Sequence, residues 1–272
     1  MFVPSLRTDL PSDGPALVIA VRGSRVVLAD IPDPALDAHP DGLFLGTLAG
    51  RHCWAIDADG TEGDVAFALD FGGAPAFADL MALWGNLDEQ SWVLAGRAVQ
   101  LVEWARTHRF CGRCGAATVE APGERARRCP ACGLTAFPRL APAVITLIER
   151  DDGRVLLGRN ARWPASMYSC LAGFVEPGET LEEAVRREVH EEVGVRVGEL
   201  LYRRSQPWPF PHSLMVGFNA RYESGDVVCD EDEIADARWF APDELPGVPG
   251  PMSIARWLID DWIARTASGT GR

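Results

Sequence analysis

The sequence contains no apolar run approaching the roughly 18–20 residues that a membrane span requires. It is also short of positive charge, with 26 basic residues against 39 acidic ones and a net charge of −13. That balance argues against a general nucleic-acid backbone binder, which needs a basic surface. It does not exclude an enzyme that handles phosphate through bound metal ions. The opening MFVPSLRTDLPSD lacks the basic-then-apolar build of a signal peptide. The closing ASGTGR is neither a peroxisomal nor a prenylation signal, so the cytoplasm is the expected compartment. Cysteine is present in an odd number, seven, with four of them in two CxxC pairs. Without an export signal this reads as metal binding and not as disulfides.

What is present is ordinary globular composition: 272 residues, 47% hydrophobic and 24% charged. That length supports one large or two modest domains with ample core. Up to about Asp70, short apolar runs (ALVIAV, RVVLAD, HCWAIDA) alternate with Gly, Pro and Asp turns, a β-rich pattern. FADLMALWGNL and AGRAVQLVEWARTHRF show helical spacing. From Cys111 to Pro138 the periodicity lapses and Cys, Gly and Pro take over. Beyond Leu140, strand-like AVITLIER, RVLLGRN and SLMVGFNARY surround one strong helix, Thr180 to Val193, and SIARWLIDDWIART reads as a closing helix. The expected division is a β-rich part with closing helices over 1–106, a small module over 107–138 and a third domain over 139–272.

Cys111-x2-Cys114 and Cys129-x2-Cys132 are each followed by glycine, Gly115 and Gly133. Two such turns complete a tetrahedral Zn²⁺ site with no open position, hence a structural one. Glycine there permits positive φ, aiming backbone N–H groups at the sulfurs. A redox CxxC is the competing reading, and two matched pairs weigh against it. Zinc ribbons can also bind nucleic acid, and Arg125 to Arg128 (RARR) offers positive charge; a solvated surface is the expectation for those arginines. Cys53, Cys170 and Cys229 lie in apolar runs and read as core residues.

Thr180-Leu-Glu-Glu183 is a capping box and Gly194 a C-terminal stop. Leu181, Val185, Val189 and Val193 recur every four residues as the buried stripe. Stepping about 100° per residue from Leu181, Glu188 falls near 340°, Glu191 near 280° and Glu192 near 20°. A solvated face would be centred on Glu183, Arg187 and His190 instead. Carboxylates crowded at the edge of a core need a counter-charge, which a hard cation, Mg²⁺ or Mn²⁺, supplies. Alone, Glu-x-x-Glu-Glu in an acidic chain is more often a helix surface.

The neighbours decide between these readings. Gly173-Phe-Val-Glu-Pro-Gly-Glu179, seven residues, then Arg187-Glu188-Val189-His190-Glu191-Glu192-Val193-Gly194-Val195 matches the Nudix box, GX5EX7REUXEEXGU with U aliphatic, at every fixed position. The chain therefore resembles the Nudix hydrolases. The resemblance implies an α/β/α sandwich with a mixed sheet (an α/β, or α+β, fold) and a loop–helix–loop metal site for hydrolysing a nucleoside diphosphate linked to another moiety. Physically, Gly173 and Gly178 permit the loop, and Arg187 can pair with Glu179 to brace it, a surface arginine being the alternative. Glu188, Glu191 and Glu192 hold cations that lower the pKa of bound water, or one of them is the base. Glu188 and Glu192 are the firmer ligands, with Glu191 shared between roles.

A second stretch, Ser205-Gln-Pro-Trp-Pro-Phe-Pro-His-Ser-Leu-Met215, carries three alternating prolines that predict an extended, pre-ordered segment. Its aromatics suit a planar heterocycle, but packing, or a Pro-rich ligand for a partner domain, also fits. SQPWPFPxSLM resembles the array of the NADH pyrophosphatase branch of the Nudix family, which also has a four-cysteine zinc ribbon and a β-rich N-terminal domain. This resemblance spans the chain. It implies hydrolysis of NAD(H) to NMN(H) and AMP, removal of a 5′ NAD cap from RNA to leave a 5′-monophosphate, a need for Mg²⁺ or Mn²⁺, and a homodimer. No membrane and no DNA are expected partners. By motif position the implied substrate contacts are Glu124, Phe137, Ala172, Gln206, Pro207, Trp208, Pro209, Phe210, Pro211, His212, Ser213 and Ala255, with Phe174 stacking on a base. A further acidic ligand is implied at Glu233, with Glu231 and Asp232 close by. Where the family usually has Tyr-Pro, this chain has Phe137-Pro138, keeping the ring and losing the phenol. The competing functions are a Nudix hydrolase for ADP-ribose or nucleotide sugars, and a non-catalytic zinc-ribbon RNA-binding module.

Overall fold

The computed structural model describes residues 1–9, 12–32, 42–59, 76–162, 164 and 166–268. The part of the β-rich expectation that falls on 60–70, and most of the closing ASGTGR, lie outside the described residues. The chain divides into two units, Met1–Arg139 with Pro209–His212, and Leu140–Trp208 with Ser213–Arg272.

In the first unit the alternating runs form β1 (Phe2–Pro4), β2 (Ala16–Arg22), β3 (Arg25–Ile31), β4 (Leu43–Leu48), β5 (Arg51–Asp57) and β6 (Ala78–Asp79). They make one sheet in the order β1-β4-β5-β2-β3-β6, with β2 and β5 parallel and the other pairs antiparallel. Helix α1 (Glu89–Thr107) begins where Asp88 accepts a hydrogen bond from the Ser91 N–H at 3.1 Å. FADLMALWGNL is not helical: β6 ends at Asp79 and turns follow to Leu87. Gly85 sits at φ 81°, a left-handed position that ends any helical run there, and the Asp88 cap starts the real helix after it. Three two-residue strands, β7 (Val119–Glu120), β8 (Arg127–Arg128) and β9 (Thr135–Ala136), form the antiparallel sheet of the cysteine module.

In the second unit the strands are β10 (Ala141–Glu149), β11 (Val155–Asn160), β12 (Leu171–Phe174), β13 (Arg196–Trp208), β14 (Ser213–Ser224) and β15 (Ile234–Phe240). They form a mixed sheet, β13-β14-β10-β11-β15, with β12 added to β10; the β10–β14 pair is parallel. The helices are α2 (Leu181–Val193) and α3 (Ile254–Ala267). Strand side chains alternate between faces. Val144 and Ile148 of β10 accordingly pack with Val185, Val189 and Val193 of α2, while Ile145 and Leu147 pack with Leu258, Ile259 and Trp262 of α3. A central strand buried on both faces reads as a continuous apolar run, which is what AVITLIER is. The result is an α/β/α sandwich.

The proline-rich stretch is not one extended segment. β13 ends at Trp208, β14 begins at Ser213, and these two residues face each other in register. Pro207 is tolerated because β13 is an edge strand, and Pro209–His212 form the tip of a hairpin.

Candidate active site

Helix α2 is set by its ends. The Thr180 hydroxyl accepts from the Glu183 N–H at 3.2 Å, and the Glu183 carboxylate accepts from the Thr180 N–H at 2.8 Å; such a cap stabilises by roughly 1 kcal/mol. Gly194 closes the helix at φ 74°. Exposure of the three glutamates follows their angular distance from the valine stripe. Glu192 is 6% exposed, the Glu188 side chain 14% and the Glu191 side chain 59%.

The buried pair faces β12. A Cβ on Gly173 would overlap the Glu188 carboxylate, so a side chain there would push that carboxylate aside. The backbone of the neighbouring Ala172 favours the charged form of Glu192. The Glu192 Oε2 atom, by contrast, is buried with no hydrogen-bond partner among the described residues. Burial pushes the Glu192 pKa up to about 8, with the charges of Glu188 and Glu233 adding to the rise. Glu188 is raised as well, by burial first, against the lowering effect of Arg187. Glu233, though exposed, is thus close enough to act on both glutamates, whereas the charge of Glu231 acts on Cys229. Carboxylates held this close, one with that buried oxygen, form an all-oxygen donor set suited to a hard divalent cation. Their oxygens do not converge as tightly as the four thiols described below.

Arg187 organises the rest. Its Nε and Nη2 grip Glu179 at 2.7 and 2.8 Å, Nη1 reaches Glu188 at 2.9 Å and Glu191 at 3.0 Å, and Nη2 also donates to the Phe174 carbonyl at 2.9 Å. All five N–H groups of the guanidinium are used, a pattern no ammonium can reproduce. The chain contains no lysine at all. Beside Arg187, the Glu179 carboxyl falls to about 2, and it also accepts from the Glu176 N–H at 3.1 Å. One side chain therefore ties the loop before α2 to β12 and to two of the glutamates.

In the first unit the four cysteines converge. Their sulfurs lie within 4.8 Å of one another, with Cys111–Cys132 and Cys114–Cys129 both at 3.5 Å. A tetrahedron with Zn–S of about 2.3 Å has an edge of roughly 3.8 Å. The two knuckles repeat one geometry: Gly115 and Gly133, both at φ 74°, donate at 2.9 Å to the carbonyls of Cys111 and Cys129. The N–H groups of Arg113 and Cys114 lower the pKa of the Cys111 thiol, whereas that of Cys114, despite the Ala116 N–H, is raised by the thiols of Cys129, Cys132 and Cys111 beside it.

The arginines beside this module are not simply solvated. Arg125 donates to the carbonyls of Phe44 and Ser5, both at 2.9 Å, and Arg127 donates to the Thr118 hydroxyl and carbonyl at 2.8 and 3.0 Å. They fasten the module to β4 and within itself. Of the remaining cysteines, Cys53 and Cys170 are buried and Cys229 is half-buried against the α2 cluster.

The other residues implied by resemblance are spread over both units. Glu124 is exposed and Phe137 is 58% exposed in the first. In the second, Ala172 is exposed, Phe174 is 56% exposed and Ser213 is buried. Gln206 is spent internally: its amide donates to the Met252 carbonyl at 2.7 Å and accepts from the Ile254 N–H at 2.8 Å, capping α3. Ala255 is buried in the cluster under α3. Sequence reasoning missed the Glu188–Gly173 fit, the effect of the Ala172 backbone and the capping by Gln206. Only the first had a signal, a glycine at a strand position that needs no turn.

Comparison with known proteins gives matches along most of the chain. A NUDIX domain model matches residues 139–262, an NADH pyrophosphatase zinc ribbon domain 106–137, and an NADH pyrophosphatase-like rudimentary NUDIX domain 10–104. The NAD-capped RNA hydrolase NudC of Deinococcus radiodurans is 45% identical over 271 residues, covering 97% of this chain and 92% of that protein. The NAD-capped RNA hydrolase NudC of Pseudomonas syringae pv. syringae is 54% identical over 171 residues, 63% of this chain and 61% of that protein. Among solved structures, a NUDIX hydrolase from Nitrosomonas europaea aligns with a TM-score of 0.48 at 22% identity, covering 59% of this chain and 93% of that one.

Proposed function

The chain belongs to the Nudix hydrolases, in their NADH pyrophosphatase branch, and from that membership we propose that it hydrolyses the diphosphate of NAD(H) to NMN(H) and AMP and removes the 5′ NAD cap from RNA, leaving a 5′-monophosphate. The observation that carries the reading is the buried Glu192 oxygen, without a hydrogen-bond partner among the described residues, on whose carboxyl the charges of Glu188 and Glu233 act. Those three residues would hold Mg²⁺ or Mn²⁺. Such ions, when bound, neutralise a diphosphate and make water a nucleophile at neutral pH. Glu191, exposed and paired with Arg187, is the residue proposed to serve as base. Arg187 and Glu179 keep the loop and β12 in place. Phe174, Phe137 and Glu124, all exposed, are the side chains proposed to meet the substrate, together with Trp208, Phe210 and their neighbours in the hairpin. Ala255 and Gln206 serve by shaping α3. The ribbon's Zn²⁺ is structural.

The same reading gives a homodimer working in the cytoplasm; no helix among the described residues is long and apolar enough to cross a membrane. The test is kcat/KM for NADH, NAD⁺, ADP-ribose and NAD-capped RNA on one preparation with Mg²⁺ or Mn²⁺. NADH and capped RNA should lead. Preference for ADP-ribose or a nucleotide sugar would replace the substrate and keep the chemistry.

A further inference from the structure

Glycine in the middle of a helix lowers helix stability, yet Gly96 lies midway along α1 and is buried there. The reason is the hairpin tip, whose residues Pro209–His212 belong to the first unit. A Cβ at position 96 would stand 2.8 Å from the Pro209 Cγ, 3.4 Å from its Cβ and 3.7 Å from a Leu80 methyl. The Pro209 ring is fused to its own backbone, so it cannot swing aside as a flexible side chain would. Relief would require the tip or the helix to move.

The contact continues along one helix face. Phe210 packs on Trp92 at 6.4 Å between ring centroids, and Trp92 is itself fixed by donating to the Leu80 carbonyl at 2.8 Å. Pro211 and His212 line a cavity of about 200 Å³ with Gln100, Trp104 and His108. Trp92, Gly96, Gln100 and Trp104 of α1, followed by its C-cap His108, recur every four residues, the spacing that makes each a neighbour of the next. The seat has a tall side chain under Phe210, a notch under Pro209 and a hollow beside His212.

We propose that this stripe of α1 is a seat for the hairpin tip, with Gly96 as the positioning residue that sets the tip's height and so its fit to the dinucleotide. The proposal rests on the NAD(H) reading above. It gives the N-terminal unit a part in substrate choice. Gly96 acts through the tip, so its effect should fall on substrate binding.

The test is Gly96→Ala in the full-length chain. We expect KM for NADH to rise by about fivefold or more while kcat stays within about twofold, the signature of lost ground-state binding. Adding Pro209→Ala, which removes the Cγ from the notch, should bring Gly96→Ala back to the level of Pro209→Ala alone. Amide hydrogen exchange at Trp208, Phe210 and His212 should quicken in Gly96→Ala and be restored in the double variant. Unchanged KM and unchanged exchange would overturn the proposal, as would a fall in kcat that tracks a lower melting temperature. If the wild type fails to cleave NADH, the substrate reading fails, and exchange at the tip still decides the role of Gly96.

Discussion

The Glu188 carboxylate occupies the space that a side chain on Gly173 would fill. The absence of a side chain at Gly173 thus leaves the Glu188 carboxylate its place against β12. Gly173→Ala should displace Glu188 and lower kcat by about 100-fold or more, in line with losses from small misplacement of catalytic groups. Circular dichroism should show the fold retained. Wild-type kcat in this variant would mean that the position of Glu188 is not critical.

Arg187 spends five N–H groups on Glu179, Glu188, Glu191 and the Phe174 carbonyl. Lysine keeps the charge but has three donors on a point-like head. Arg187→Lys should therefore lower kcat/KM by about 10- to 100-fold, as loss of supporting contacts around a metal site does. Steady-state kinetics over a Mg²⁺ titration measures this, and near-normal kcat/KM would reduce Arg187 to a charge.

Glu192 titrates near pH 8 in the folded chain, against an ordinary carboxylate value of 4.5. The folded state therefore holds a proton that the unfolded state has released across that interval. Stability falls as pH rises wherever the folded state binds more protons. In buffer free of Mg²⁺ and Mn²⁺, the melting temperature should drop between about pH 4.5 and pH 8, and Glu192→Gln should flatten the drop. Adding Mg²⁺ at pH 8 should restore stability by binding the ionised form. A Glu192→Gln profile parallel to wild type would contradict this.

Cys129 is buried, and its sulfur lies 3.5 Å from that of Cys114. Cys129→Ser should release the bound zinc and lower the melting temperature by several degrees, because metal binding and folding are coupled in such modules. Zinc content by mass spectrometry and thermal unfolding together provide the check. Retained zinc with an unchanged melting temperature would argue against a structural metal.

Much of the second unit was legible because local signals agree there. Thr180, Glu183 and Gly194 mark the ends of α2, and a four-residue valine repeat marks its buried face, so the order of burial of Glu192, Glu188 and Glu191 follows from angle alone. The cysteine module was legible from spacing. FADLMALWGNL misled because helical spacing over eleven residues does not outweigh Gly85 in a left-handed position and the competing Asp88 cap. RARR misled because charge says nothing about which carbonyls, here those of Phe44 and Ser5, lie within reach. SQPWPFPHS read as one extended segment because proline restricts each residue without revealing where the strand reverses. The reversal at Trp208 and Ser213 is set by pairing across the sheet.

The central claim is that the α2 glutamates make a cation site that cleaves the NAD(H) diphosphate. The most direct measurement is turnover of NADH with Mg²⁺ by wild type and by Glu192→Gln, with products separated by chromatography. The wild type should release NMNH and AMP, and Glu192→Gln should lose at least about 1,000-fold in kcat while keeping its fold and its zinc. Near-normal turnover by Glu192→Gln would contradict the account.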